Sequence, residues 1–429
     1  MNVSGKILFI ITQLVLVSCV PNKSGGSRSG ATGVSNNSST VNVGYGRILA
    51  SNPVVLSGNS NFDASTNLAT LLSSSKQDFI TSNSFLSESC SLNSSTISSC
   101  FQVKQDSLTN QFQSLDGKWG YEAGTSEFLQ VHTFAHIKNQ TSKYLSHLDS
   151  ARSNYISFGY NSAIPVNIST TKGFWHPSRE LTNYSQTDTV NNASFDPTFF
   201  TTEYGFINHE NRKIAISEDP SIIYHEMGHA FTNILLNTRN VASALVTRAS
   251  NKYTVYDESG AIDEGIADYF SYYVNSRTHI GEWAFGRFLS ASRPLAEDDA
   301  IHAAGISTDA DSRLSYPDFV SYNSSSPETL EEDVHNSGQI ISHYLVALTK
   351  DLMSSCSFSQ STANYYVFSA ISETLSELGS LTGFGNSTAT HTINLDANNA
   401  LEFLTKNKPV TFRSFSQTFA KYLSFTVGN

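Results

Sequence analysis

Cysteine is scarce in this chain, four in 429 residues, and no two of them form a C-x-x-C pair. That weighs against a thiolate zinc site. An excess of positive charge is lacking as well. The 26 Lys and Arg face 37 Asp and Glu, and the net charge of −11 disfavours nucleic acid as a partner. After the first twenty residues no run approaches eighteen consecutive apolar positions, so no later segment is expected to span a membrane. No internal repeat stands out. What the chain does have is aromatic bulk: 27 Phe and 19 Tyr, which argue for a packed core rather than disorder.

The first residues read as an address. Lys6 gives a positive start, Ile7 to Val17 forms an eleven-residue apolar run, and Leu16-Val17-Ser18-Cys19 resembles a bacterial lipoprotein cleavage box. Residues 1–18 are therefore expected to be a signal peptide, with Cys19 lipidated. The implied location is the outer membrane, on its periplasmic face or at the cell surface. An ordinary secretory signal with an incidental cysteine is the alternative. Residues 19–43, rich in Ser, Gly and Asn, read as a flexible tether. Residues 44–118 are Ser-rich and give no clear structural signal. Export permits a Cys90–Cys100 bridge, and Cys356 is expected to be a buried free thiol.

The chemistry is concentrated in His225-Glu226-Met227-Gly228-His229. Ile214 to Ile216 reads as a short strand, Asp219 as an N-cap and Pro220 as the first helical residue. Ile222, Ile223, Met227, Ala230, Phe231, Ile234 and Leu235 then recur at helical spacing through Leu236. On such a helix the two imidazoles lie one above the other and converge on one metal ion, with Glu226 turned toward its open side. The alternative is a solvated helix with two surface histidines. A histidine six residues after His229 would signal a metzincin, but that position is Leu235.

Three protein ligands are needed for catalytic zinc. In Glu258 to Phe270, the residues Ile262, Ile266 and Phe270 form one helical stripe, and Glu264 and Asp268 are four apart on another. Glu264 is the expected third ligand and Asp268 the acceptor of a spare histidine N–H. A solvent-facing acidic stripe is the bland alternative.

These motifs resemble the gluzincin metallopeptidases of the thermolysin and fungalysin type, which carry H-E-x-x-H on one helix and a ligand glutamate in E-x-x-x-D on the next. Asp333-Val334-His335-Asn336-Ser337-Gly338-Gln339-Ile340-Ile341 is similar to that family's segment whose histidine donates to the tetrahedral intermediate. Asn192-Ala193 with Phe195 resembles its substrate-pairing edge strand, and Phe128 to Leu148 its long helix near the start of the catalytic domain. Gly46 to Gly58 loosely echoes fungalysin-type N-terminal strands. The resemblance covers residues 120–429. It implies an α+β, zincin-like, two-lobed fold: a β-rich lobe at 119–236 that includes the H-E-x-x-H helix, and a mainly α-helical lobe at 237–429. The zinc site would lie in the cleft between them.

The resemblance also implies roles. His225, His229 and Glu264 hold one Zn²⁺, Glu226 is the general base, and His335 faces the oxyanion. Tyr256, or its rival Tyr253, is a second donor, and Asn192 and Ala193 meet an extended substrate. His343 should lie outside the site. The partners are then protein or peptide substrates, and a membrane through the lipid anchor. The chain also departs from the pattern. Where members with a double calcium site place an aspartate, four residues before the first histidine, it has Ser221. Calcium is therefore unsupported there, although Asp298-Asp299, Asp309-Asp311 and Glu331-Glu332-Asp333 offer oxygen ligands elsewhere. The gap from His229 to Glu264 implies an inserted turn or loop. The competing class is a surface lipoprotein that uses a peptidase-like fold for binding alone. A zinc hydrolase acting on a non-peptide substrate is a third.

Overall fold

A computed structural model describes residues 44–59, 62, 64–77, 101–105, 118–147, 164–168, 192–196, 201–209, 212–235, 258–286, 292–296, 334–381 and 412–428. The expectations for residues 1–43, Cys90, Cys100, Tyr253, Tyr256, the 236–257 connection and the three acidic runs at 298–299, 309–311 and 331–333 lie outside the described residues.

The fold mixes helix and sheet. Eight helices are described: α1 (Pro53–Ser57), α2 (Ala64–Leu71), α3 (Ser126–His147), α4 (Pro220–Leu235), α5 (Glu258–Asn275), α6 (Val334–Ser355), α7 (Gln360–Leu381) and α8 (Phe412–Gly428). The strands are β1 (Gly44–Ile48), β2 (Ser73–Gln77), β3 (Phe101–Gln105), β4 (Lys118–Trp119), β5 (Ile164–Ile168), β6 (Ala193–Asp196), β7 (Thr201–Tyr204), β8 (Phe206–His209), β9 (Arg212–Ala215), β10 (His279–Ile280) and β11 (Arg293–Pro294). They form a three-stranded sheet β2-β1-β4, a four-stranded sheet β3-β5-β7-β6 and the two pairs β8-β9 and β10-β11. Among the described residues no helix is long and apolar enough to cross a membrane.

The central helix begins as its sequence signals. β9 ends at Ala215, a 3-10 turn covers Ile216–Glu218, and α4 starts at Pro220, which has no N–H to leave unsatisfied. Asp219 caps it: Oδ1 accepts from Ser221 N at 3.1 Å and from the Ser221 hydroxyl at 2.7 Å. Its other oxygen accepts from Trp283 N at 2.9 Å and Ala284 N at 3.3 Å, both in the π-turn Glu282–Gly286. The cap therefore does two jobs, starting α4 and fastening it to the segment that follows α5.

Aromatic side chains lock four helices together. Tyr144 of α3 meets Phe231 of α4 edge-on at 4.2 Å and stacks on Phe368 of α7 at 5.1 Å. Phe368 also stacks on Tyr273 of α5 at 4.8 Å. All four rings are buried, and such pairs add about 0.5–1.5 kcal/mol each beyond the area they bury. Lys143 donates from Nζ to the carbonyls of Tyr273 and Val274, at 2.6 and 3.1 Å, and so caps the end of α5.

Glycine sets the distance between the functional helices. A Cβ on Gly228 of α4 would lie 2.8 Å from Ala267 Cα of α5. One on Gly265 would meet the Gly338 carbonyl and lie 2.6 Å from Ile341 Cβ of α6. One on Gly338 would lie 2.8 Å from Glu264 Cβ. Backbone thus touches backbone at both crossings, closer than larger side chains allow.

One sequence expectation is overturned. Cys356 is disulfide-bonded rather than free, to a cysteine outside the described residues, and it is half-buried. It sits just past α6, where the chain turns to start α7. A lone cysteine's sequence neighbours say nothing of a thiol that arrives from elsewhere in the chain.

Gly265→Ala should destabilise the fold by about 1–3 kcal/mol, because the added methyl has backbone on one side and Ile341 on the other. Gly120→Ala, whose Cβ would meet only the flexible Arg47 side chain at 3.7 Å, should change stability by less than about 0.5 kcal/mol. Urea midpoints at constant m-value compare the two, and equal midpoints would refute the close-packing argument.

Candidate metal centre

Helix spacing and helix contact together decide which side chains meet. His225 and His229 project from one face of α4, with ring centroids 4.7 Å apart. Glu264 enters from α5 across the Gly228 contact. The two Nε2 atoms are 3.2 Å apart, Glu264 Oε2 is 3.2 Å from His225 Nε2, and Oε1 is 3.6 Å from His229 Nε2. Ligands bound to one tetrahedral ion lie ~3.3 Å from each other, so these three spacings fit an ion held in common. This is the group of residues that could hold a metal ion among those described.

Each imidazole is held from behind by a carboxylate. His225 Nδ1 donates to Asp268 Oδ1 at 2.8 Å. Asp268 is in turn gripped by Arg293 of β11, through Nη2 at 2.7 Å and Nε at 3.2 Å. His229 Nδ1 donates to Asp263 Oδ2 at 2.9 Å. Sequence reasoning missed both Asp263 and Arg293. Asp263 had a readable signal, since neighbouring helix positions point about 100° apart and can flank two sides of one ring. Arg293 had none, because it reaches the site from another element 25 residues past Asp268. His343 donates from Nε2 to the Pro294 carbonyl at 2.8 Å. It therefore stands behind Arg293 and outside the ligand set, as expected.

The charges are strongly coupled. Burial disfavours a proton on His229, but Asp263 and Glu264 outweigh it and push its pKa up to about 10. Burial and Arg293 also oppose a charged His225, yet Asp268 raises it. Burial would raise Glu264, but His335, His229 and His225 hold it well below the usual carboxylate range. The neighbouring carboxylates thus favour protonation of both imidazoles. Glu264 Oε2 is buried and no aligned donor satisfies it, which is the condition of an oxygen arranged for a cation. Glu226 is buried beside them and its pKa is raised by that burial, against the pull of His225 and His229.

The remaining expected residues divide. His335, in the first turn of α6, has a side chain 47% exposed and lies with Nε2 3.5 Å from Glu264 Oε1. It is brought to the rim of the site. Ala193 is buried in β6, an end strand of the four-stranded sheet, and pairs with Tyr204. Glu226 adds to the burial that raises Tyr204, the β7 partner of Ala193, so Glu226 lies near this edge of the sheet. Asn192 is exposed and its carbonyl accepts from Gly205 N at 3.0 Å. Tyr256 is outside the described residues. The chain matches no family model, and a search of curated proteins found no match.

Asp263→Asn keeps an oxygen for His229 and removes the charge, and should weaken the affinity for added zinc about tenfold to a hundredfold. Asp268→Asn should weaken it too and also lower stability, because it leaves Arg293 without its partner. Competition with a chromophoric chelator, together with urea denaturation, separates the two effects. Unchanged affinity in Asp263→Asn would remove that residue from the centre.

Proposed function

We propose that this chain is an exported, lipid-anchored zinc metalloendopeptidase of the thermolysin and fungalysin kind, with the two-lobed fold of that family. One observation carries the reading: three ligand atoms from two helices gather at ligand-to-ligand distances beside a buried glutamate that is not one of them. Two imidazoles and a carboxylate form a donor set that suits zinc and leaves a fourth position for solvent. The order of the three sequence motifs along the chain supports the same reading.

Bound zinc would act as a Lewis acid toward water and toward the substrate carbonyl. The protein's own groups do the rest. Glu226 lies on the turn between the two histidines, where it can take a proton from the attacking water and return it to the departing amine. Burial raises its proton affinity, which favours taking up that proton. His335, half exposed at the rim, would donate to the developing oxyanion, a contribution of roughly 3 kcal/mol. Arg293 fixes Asp268, and Asp268 fixes the ring of His225. An extended peptide would lie along β6, at the end of its sheet and packed against α4, with backbone hydrogen bonds supplying much of its affinity. Cys19 would carry the acyl chains that hold the enzyme at the outer membrane, with residues 19–43 as the tether.

Glu226→Gln should retain zinc while lowering peptide hydrolysis by about two to four orders of magnitude. A fluorogenic-peptide or casein assay, with and without chelator, measures this alongside metal content. Zinc binding with no hydrolysis in the wild-type chain would favour a binding lipoprotein instead. Normal turnover in Glu226→Gln would remove Glu226 as the base.

A further inference from the structure

Two more histidines one turn apart lie on α3, away from the metal centre. His132 and His136 are both buried, and their rings meet edge-on at 4.4 Å. What they hold is a single residue. Leu49 follows β1 and precedes α1, so it has no ladder or helix partner of its own, yet it is fully buried. Buried backbone groups need partners, and here both are imidazoles. Leu49 N donates to His132 Nδ1 at 3.3 Å, and the Leu49 carbonyl accepts from His136 Nε2 at 2.9 Å. The remaining nitrogen of His136 meets the Tyr224 hydroxyl at 2.6 Å, which also accepts from Asn139 Nδ2 at 3.4 Å.

Tautomer chemistry makes this arrangement conditional. Because His136 Nε2 donates to Leu49, its neutral ring leaves Nδ1 to accept from Tyr224. His132 Nδ1 can accept from Leu49 only while it carries no proton. A protonated His132 would turn an N–H toward the Leu49 N–H, beside a second ring ready to charge. Among the described residues no carboxylate pairs with either imidazole.

We infer that the N-terminal strap, residues 44–59, carries an acid-released latch: Leu49 stays held to His132 on α3 only while that imidazole is neutral, and proton uptake there frees the Leu49 amide and loosens the turn between β1 and α1. The strap's far end reaches the proposed catalytic helix. Asn52 caps α1 through Val55 N and donates to Glu282 Oε2 at 2.9 Å. Glu282 opens the π-turn whose backbone N–H groups hold Asp219, the cap of α4. Opening the strap would therefore slacken the support of α4 without touching a metal ligand.

The surrounding carboxyls oppose the effect in part, because a carboxyl raised by burial gains stability as pH falls. The Ser217 backbone also counters the lowering of His132. Burial lowers His132 well below the ordinary imidazole range, with His136 adding to it, and pushes His136 down to about 4. From α4 the facing group is Tyr224, raised by burial. From the 3-10 turn they are Glu218, pushed up to about 7 by burial, and Asp219, raised by burial. Glu282 on the π-turn is raised by burial as well. The strap's nearby cation, Arg47, donates to the Ala69 carbonyl. Farther along α3, burial lowers Lys143 and His147. Each imidazole binds fewer protons in the closed strap than in the open one. Its stabilisation is complete above the free value of 6.5 and is lost as pH falls from there through about 4.

Hydrogen exchange on the full-length chain tests this without any metal. After correction for intrinsic rates, protection of the Leu49 amide should fall at least tenfold between pH 6.5 and 4.5, while α5 and α7 keep theirs. His132→Asn supplies an acceptor that takes up no proton, and should flatten that dependence. His132→Phe should leave Leu49 poorly protected at both pH values. Unchanged Leu49 protection overturns the latch, as does a loss parallel to that of α5 and α7, or a His132→Asn chain that titrates like the wild type. If His132→Asn fails to fold, the wild-type contrast between Leu49 and α7 decides by itself.

Discussion

Backbone contact between α4, α5 and α6 governs the rest of the structure. A glutamate side chain is short, and helices spaced by ordinary side chains would leave Glu264 out of reach of His225 and His229. Gly228 lets α5 ride directly on α4, and Gly265 against Gly338 brings in α6 with His335 at its start. Removing three side chains at the crossings is what gives four functional side chains a common centre. The aromatic cluster of Tyr144, Phe231, Tyr273 and Phe368 sits on the far side and resists the separation that charge within the centre would favour.

That charge is considerable. Glu226, Asp263, Glu264 and Asp268 crowd around two imidazoles and one partly buried guanidinium. Groups of this kind are costly to bury unless each has a partner, and the partners are supplied in series. Arg293 neutralises Asp268, Asp268 orients His225, and Asp263 orients His229. A divalent ion held by His225, His229 and Glu264 would complete the pattern, because it would place positive charge among these carboxylates. The same two histidines are pushed toward protonation when no ion is bound, for the same electrostatic reason.

The buried polar network extends well beyond the centre. Asp219 ties the start of α4 to the π-turn, Asn52 ties the π-turn to the strap, and His132 and His136 tie the strap to α3. These links replace regular secondary structure where the chain has none. Leu49 is the clearest case, with side chains standing in for a missing strand. Polar links of this sort are specific in direction and, unlike apolar contacts, depend on protonation state.

Periodicity and end signals were legible in the residues alone. Asp219 and Pro220 mark where α4 begins, the 3.6-residue repeat of Ile222, Met227 and Phe231 shows its buried face, and the spacing of His225, His229, Glu264 and Asp268 pairs them within each helix. These features are local, and local geometry follows directly from order along the chain. What meets across elements was decided by tertiary packing. Arg293 behind Asp268, Cys356 in a disulfide and Leu49 between two imidazoles all join parts far apart in sequence. The His132–His136 pair has the same four-residue spacing as His225–His229 but holds a backbone instead. Spacing fixes which side chains share a face; only the fold determines what that face meets.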